Sequence, residues 1–325
     1  MVCLVCKSEK NEYLSNIKGL DGLDYGIYNC LNCGSNFTKV PDNISEAYNK
    51  VYIQDDFSSG YDKYFQIFQG IKKAKKPLDF LLDQQPLYLP IMNFIKKRKN
   101  LKILEIGCGL GYLTYALNQS GYEARGIDIS EKSIALAKKE FGDHYENSTI
   151  ERLSGGADKY DLIIATELIE HLDQPSIFLD RCRELLADNG AIIITTPNKD
   201  YYGKKYLWNT ELPPLHLSWL GISGLERIIS DKKFNYKFFN YLRNGVAFRE
   251  KTNLLTDWFV SRNISYRDFY PAKSGNDGKQ EKVYLLKRVF VDCYVIRLIC
   301  NLFYSVCFVT DLRKYVIVSM ILTKN

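Results

Sequence analysis

The stretch from Leu101 to Gly111, Leu-Lys-Ile-Leu-Glu-Ile-Gly-Cys-Gly-Leu-Gly, constrains this chain more than any other. An apolar run of strand length closes on an acid and breaks into glycines at alternate positions, and a helical pattern starts at Tyr112. A strand, a tight turn and a helix N-terminus in that order let main-chain N–H groups approach a nucleotide-like ligand. A second strand-like run, Ala124 to Ile129, carries Asp128 near its end. Apolar runs at 101–106, 124–129, 160–165 and 191–196 alternate with helical patterns at 112–120, 131–141 and 175–188, and a weaker strand is expected near 148–151. Apolar strands separated by amphipathic helices specify a parallel sheet covered on both faces. Ser130 suits the N-cap of the second helix and Gly190 the C-cap of the third.

The flanking sequence is of other kinds. Cys3-x-x-Cys6 and Cys30-x-x-Cys33 each put two thiolates on a turn, and two such turns can close a tetrahedral zinc site. Four thiolates leave no open position for catalysis, so the zinc is read as structural, against a redox pair or unligated thiols. Residues 1–40 hold little apolar sequence, and metal would supply the folding free energy of this ribbon-like module. Residues 41–100 read as a linker, an aromatic arm containing Tyr61 and Tyr64, and a helix over 86–99. Tyr61 and Tyr64 either close over a ligand or pack the arm down. After the strand at 191–196 come a loop rich in Tyr, Trp and Pro at about 198–220, a helix over 221–232, a strand over 234–242 and a helical insertion at about 243–313. A final strand is expected over 314–324.

Composition narrows the class. With 325 residues, 46% of them hydrophobic, a large core is available, and a formal charge of +6 is too mild to point to nucleic acid. Nine cysteines, an odd number, argue for a reducing compartment, and cytoplasmic placement is expected. The opening turns polar at once, so a signal peptide is not expected. Within 283–313, Asp292, Arg297 and Asn301 interrupt the apolar run, which disfavours a spanning helix. This stretch is open to packing on the sheet, to homodimerisation, or to peripheral membrane contact through Arg288, Arg297 and Arg313. Its Cys293, Cys300 and Cys307 would lie about 10 Å apart on a helix, too far to share one ion.

Leu-Glu-Ile-Gly-Cys-Gly-Leu-Gly-Tyr-Leu followed by Gly-Ile-Asp-Ile-Ser, then Tyr160 to Pro175 and Thr195-Thr-Pro-Asn198, resembles class I S-adenosylmethionine-dependent methyltransferases. The similarity is to the branch of ubiquinone-pathway O-methyltransferases and small-molecule and sugar methyltransferases, and covers roughly residues 78–240. The resemblance implies a Rossmann-like α/β fold: a mostly parallel seven-stranded sheet, its last strand antiparallel, over residues 101–325, beside the N-terminal zinc ribbon. It implies S-adenosyl-L-methionine as cofactor. Gly107, Cys108, Gly109 and Gly111 would meet its amino-acid part, with Glu105 reaching the same region. Asp128 would bind the ribose, Ile129 would pack on adenine, and Thr166 and Glu167 would lie near the methionine moiety. The family's Asp after the third strand is missing, with Asn147 or Ser148 as substitutes.

Methyl transfer from a sulfonium is an in-line displacement, so alignment and desolvation carry most of the catalysis. A hydroxyl acceptor must also lose its proton, for which His is suited. His171 and His216 are the candidate bases, while His144 sits on a polar helix end. Tyr202 and Trp208, with Tyr201 and Trp219, are candidates to line the acceptor pocket. The expected acceptor is a small molecule, first a sugar or nucleotide-linked sugar of surface-glycan or natural-product biosynthesis, methylated on oxygen. A quinone or lipid-linked acceptor comes second, and RNA or a non-catalytic scaffold is disfavoured.

Overall fold

The computed structural model describes residues 1–41, 62–154, 159–202, 211–230, 232–241 and 317–324, with the side chains of Asp62 and Tyr202 outside that description. Tyr61, Trp208 and the helical insertion expected at about 243–313, with its apolar stretch and three cysteines, also lie outside the described residues. Contacts divide the chain into one unit of Met1–Phe239 with Leu312–Asn325 and another of Asn240–Asp311. The first unit holds both sheets.

The N-terminal residues form β1 (Asn11–Lys18), β2 (Asp24–Cys30) and β3 (Asn36–Thr38), an antiparallel meander. Three helices follow: α1 (Asp62–Ile71), α2 (Pro77–Gln84) and α3 (Leu89–Ile95). The sequence suggested one helix over 86–99. Instead a 3-10 turn at Pro86–Tyr88 leads into α3, and two further helices occupy what read as linker. Pro77, Pro86 and Pro90 each sit in a first helical turn, where the absent N–H costs nothing.

The alternating segment gives β4 (Lys102–Ile106), α4 (Tyr112–Gln119), β5 (Glu123–Asp128), α5 (Glu131–Phe141), β6 (Tyr145–Asn147), β7 (Tyr160–Thr166), α6 (Pro175–Leu185) and β8 (Leu186–Pro197). The third strand lies earlier than its expected place near 148–151. Ser148 instead donates its N–H to the Asp128 carbonyl, and a 3-10 turn covers Ile150–Arg152. Helix α6 stops at Leu185 because Leu186 already pairs with Tyr160. Ser130 caps α5 as expected, its Oγ accepting from Ser133 N–H.

A short α7 (Lys199–Tyr202), β9 (Ser218–Trp219), α8 (Ile222–Ile229), β10 (Phe234–Phe238) and β11 (Ile317–Lys324) follow among the described residues. The large sheet runs β10-β11-β8-β7-β4-β5-β6. Strands β8, β7, β4, β5 and β6 are parallel, and β11 lies antiparallel between β8 and β10. This is the Rossmann-like seven-stranded arrangement, its last strand reversed. The order turns between β4 and β7, so a ligand crevice opens at the carboxyl ends of those two strands. Leu104, Ile163, Ile192 and Met320 bury the sheet, and Cys3, Val5, Cys30, Cys33 and Phe37 join the same core. The two sheets thus share one apolar interior.

Candidate active site

The turn after β4 is built from main chain. Gly107 and Cys108 donate N–H to the Ile127 carbonyl, and Gly111 donates to that of Cys108. Gly109 donates its N–H to Asp128 Oδ2 at 2.8 Å, while Asp128 Oδ1 accepts from Ser130 N–H at 2.8 Å. Two of these glycines answer different needs. At Gly111 (φ +78°) a Cβ would meet Tyr145 Cε1 at 2.5 Å, so packing forbids a side chain. At Gly109 (φ +50°) nothing lies within 4 Å, and the turn faces open space. Beside it Ile129 is 58% exposed, an apolar plate next to the Asp128 carboxylate. Asn147 donates its amide to the Asp128 carbonyl, and Ser148 is buried.

Glu105 is 3% exposed and turns into the start of α4, where Oε2 accepts from Thr114 N–H at 2.9 Å and Oγ1 at 2.6 Å. Burial pushes its carboxyl up to about 8 against those bonds. Asp128 is raised by burial too. Glu167 leaves β7 with φ +49°; burial raises its carboxyl, opposed by the Lys63 charge and by the Tyr64 hydroxyl at 3.3 Å from Oε2. Several carboxyls held out of water at one crevice make a place suited to a cation, whose charge would return them to the ionised form. An open glycine turn, a carboxylate with an apolar plate, and buried acids beyond fit a nucleoside carrying an ammonium and a sulfonium.

The other wall is a strap at residues 211–220, nearly all buried. Its His216 ring lies 4.4 Å from that of His171, edge to face. His171 Nδ1 donates to the Leu215 carbonyl at 2.8 Å, the only role a carbonyl permits, and the Glu167 carbonyl also touches this ring. Burial pushes His171 down to about 4, and burial with His171 alongside takes His216 well below its ordinary value. Both are therefore neutral near pH 7. His216 hydrogen-bonds the Glu211 carbonyl, and its Nδ1 is buried without a partner. Glu170 Oε1 is buried and unpartnered as well, while Oε2 accepts from Thr196 Oγ1 at 2.9 Å. One ligand atom each of Glu170, His171 and His216 lies within 4.8 Å of the others.

A family model described as "Methyltransferase domain" matches residues 77–237. Residues 77–237 form a class I methyltransferase domain. Curated proteins similar to it include the ubiquinone biosynthesis O-methyltransferases of Bradyrhizobium diazoefficiens, 32% identical over 106 residues (31% of this chain, 42% of the relative), and of Coxiella burnetii, 32% identical over 135 residues (38% and 57%). The matched stretch thus spans about half the length of these relatives. Among solved structures, the plantazolicin methyltransferase BpumL with SAH is 16% identical, covering 87% of this chain and 98% of that one, at a TM-score of 0.45. Magnesium protoporphyrin IX methyltransferase from Synechocystis PCC 6803 with SAM is 20% identical, covering 58% and 88%, at 0.40.

Against the methyltransferase domain lies the cysteine module. One ligand atom each of Cys3, Cys6, Cys30 and Cys33 falls within 4.8 Å of the others, with Cys3 Sγ 3.8 Å from Cys33 Sγ and Cys6 Sγ 3.5 Å from Cys30 Sγ. A tetrahedral zinc with bonds of about 2.3 Å sets its sulfurs about 3.8 Å apart, so the set fits zinc. The two turns match: Lys7 donates N–H to the Cys3 carbonyl and Gly34 to that of Cys30, and both residues are left-handed. Cys3 and Cys33 share a hydrogen bond that lowers the Cys33 thiol and raises that of Cys3, so the pair shares one proton.

The structure brings Glu105, Gly107, Cys108, Gly109, Gly111, Asp128, Ile129, Thr166, Glu167, His171 and His216 to the carboxyl ends of the strands. Two further groups escaped the sequence reading. Tyr88 and Tyr112 share a hydroxyl hydrogen bond, close enough to Glu105 to feel its charge. Tyr112 directly follows the glycine turn, a usable signal. Tyr88 sits in the unforeseen 3-10 turn and gave none.

Proposed function

We propose that the protein transfers a methyl group from S-adenosyl-L-methionine to a hydroxyl of a small-molecule acceptor, a sugar or nucleotide-linked sugar. When bound, the cofactor supplies an activated methyl on a sulfonium. The Gly107–Gly111 turn, Asp128 and Ile129 would hold its nucleoside, and Glu105, Thr166 and Glu167 its methionine end. The buried acids favour a cationic ligand.

The observation that carries the acceptor chemistry is the unpartnered His216 Nδ1 in a buried wall. His171 is bracketed by two carbonyls, whereas His216 spends one nitrogen on Glu211 and keeps a lone pair. His216 is therefore the base that takes the acceptor proton, and His171 holds it in place. A hydroxyl acceptor needs such a group. Zinc at Cys3, Cys6, Cys30 and Cys33 would be structural.

A quinone or lipid-linked acceptor is the second reading, favoured by the similarity to ubiquinone biosynthesis O-methyltransferases. Incubation with methyl-labelled donor and a cell extract fractionated into nucleotide sugars, lipids and RNA separates the readings. Label in nucleotide sugars supports the first, label in the lipid fraction the second. Label confined to RNA sinks both.

A further inference from the structure

The cysteine module and the acceptor strap are one continuous hydrogen-bonded piece. Strand β3 begins three residues after Cys33 and pairs with β9, Asn36 opposite Trp219 and Phe37 opposite Ser218. Thr38 N–H reaches the Leu217 carbonyl at 3.0 Å, and Leu20 N–H reaches that of Pro213 at 2.7 Å. Gly34, inside the second cysteine turn, accepts from Lys199 Nζ. The strap's opposite edge faces the site: Leu217 N–H donates to the Glu170 carbonyl at 3.0 Å and the Leu215 carbonyl accepts from His171. His216 lies between these two attachments. The donor turn is tied elsewhere, to Ile127 and Asp128.

We propose that metal loading of the four cysteines sets the position of His216, so that the module governs the acceptor half of the site and leaves the donor half standing. The proposal rests on the reading of His216 as the acceptor-side base. The physical chain is short. Zinc closes the two cysteine turns, the second turn fixes where β3 starts, β3 fixes β9, and β9 fixes the strap. Cys3, Cys6, Cys30 and Cys33 then act as positioning residues through the main chain.

The chain contains three histidines, and His144 is exposed in the loop between α5 and β6, which makes it an internal control. Histidine-labelled full-length protein is followed by NMR with zinc present and after its removal by a chelator, with S-adenosylhomocysteine binding measured in parallel. The expected result is that the His171 and His216 signals move, the His144 signal stays, and donor-product affinity holds within about twofold. Thr38→Pro removes the N–H to Leu217 and leaves every cysteine; it should move the same two signals with zinc still bound. Unmoved His171 and His216 signals in the zinc-free protein overturn the proposal. So does loss of S-adenosylhomocysteine binding on zinc removal, since the donor half must stand alone. Failure of the zinc-loaded protein to bind S-adenosylhomocysteine strikes instead at the methyltransferase reading.

Discussion

The two halves of the site are made by different means. The donor half is local: a strand, a turn and a helix, with Asp128 one strand away, all within a short run of sequence. The acceptor half is assembled from far-apart pieces, as Glu170, His216 and the cysteine module come together through β3, β9 and the strap that β9 ends. A local site depends on backbone conformations that single residues permit. An assembled site depends on the pairing of strands that lie far apart in the sequence.

The largest effect expected from breaking this contrast is Gly111→Val. Its side chain would clash with Tyr145 and Ala137 at a left-handed φ, costing roughly 3 kcal/mol or more of stability. A thermal melt would show it as a deep fall or as insoluble protein. Next is His216→Ala, which should lower transfer by about 10²–10⁴-fold while S-adenosylhomocysteine affinity is kept. Unchanged turnover would remove His216 from the chemistry. Asp128→Asn should do the reverse at smaller size, weakening S-adenosylhomocysteine about 100-fold in calorimetry. Gly109→Ala should cost only about 1 kcal/mol in stability, since the space is open. Any larger loss in donor affinity would then mark the turn as ligand contact.

The smallest expected effects are on pH dependence, where the halves pull in opposite directions. The folded pKa of His171, about 4, lies below its ordinary 6.5. Its contribution to stability is therefore present above about 6.5 and lost as pH falls toward 4. Glu105 is raised to about 8 from 4.5, so its contribution is full below 4.5 and lost as pH rises through 8. Urea midpoints across that range should fall on both sides, with His171→Gln flattening the acid limb and Glu105→Gln the alkaline one.

The same contrast explains what could be read from the sequence. Periodicity located β4, β5, β7, β8 and the helices between them, because each is a local apolar pattern that the sheet then buries. The glycine turn and Asp128 could be placed for the same reason. Pairing between β3 and β9 leaves no such trace, since a two-residue strand has no period. Nor does a sequence show which histidine nitrogen a carbonyl will occupy. His171 and His216 stood as equals until Leu215, Glu167 and Glu211 distinguished them. The helices at 62–84 were missed because aromatic and basic residues there masked the apolar face, which Ile67, Ile71 and Leu81 supply.

Glu167 is a non-glycine residue at φ +49°, pinned by its N–H to the Thr195 carbonyl. Such a conformation costs of order 1–3 kcal/mol, which glycine would avoid. The bend aims the carboxylate at Tyr64 rather than along the strand. Helix α1 is thereby moored to the strand end through a single side chain, at the mouth of the crevice.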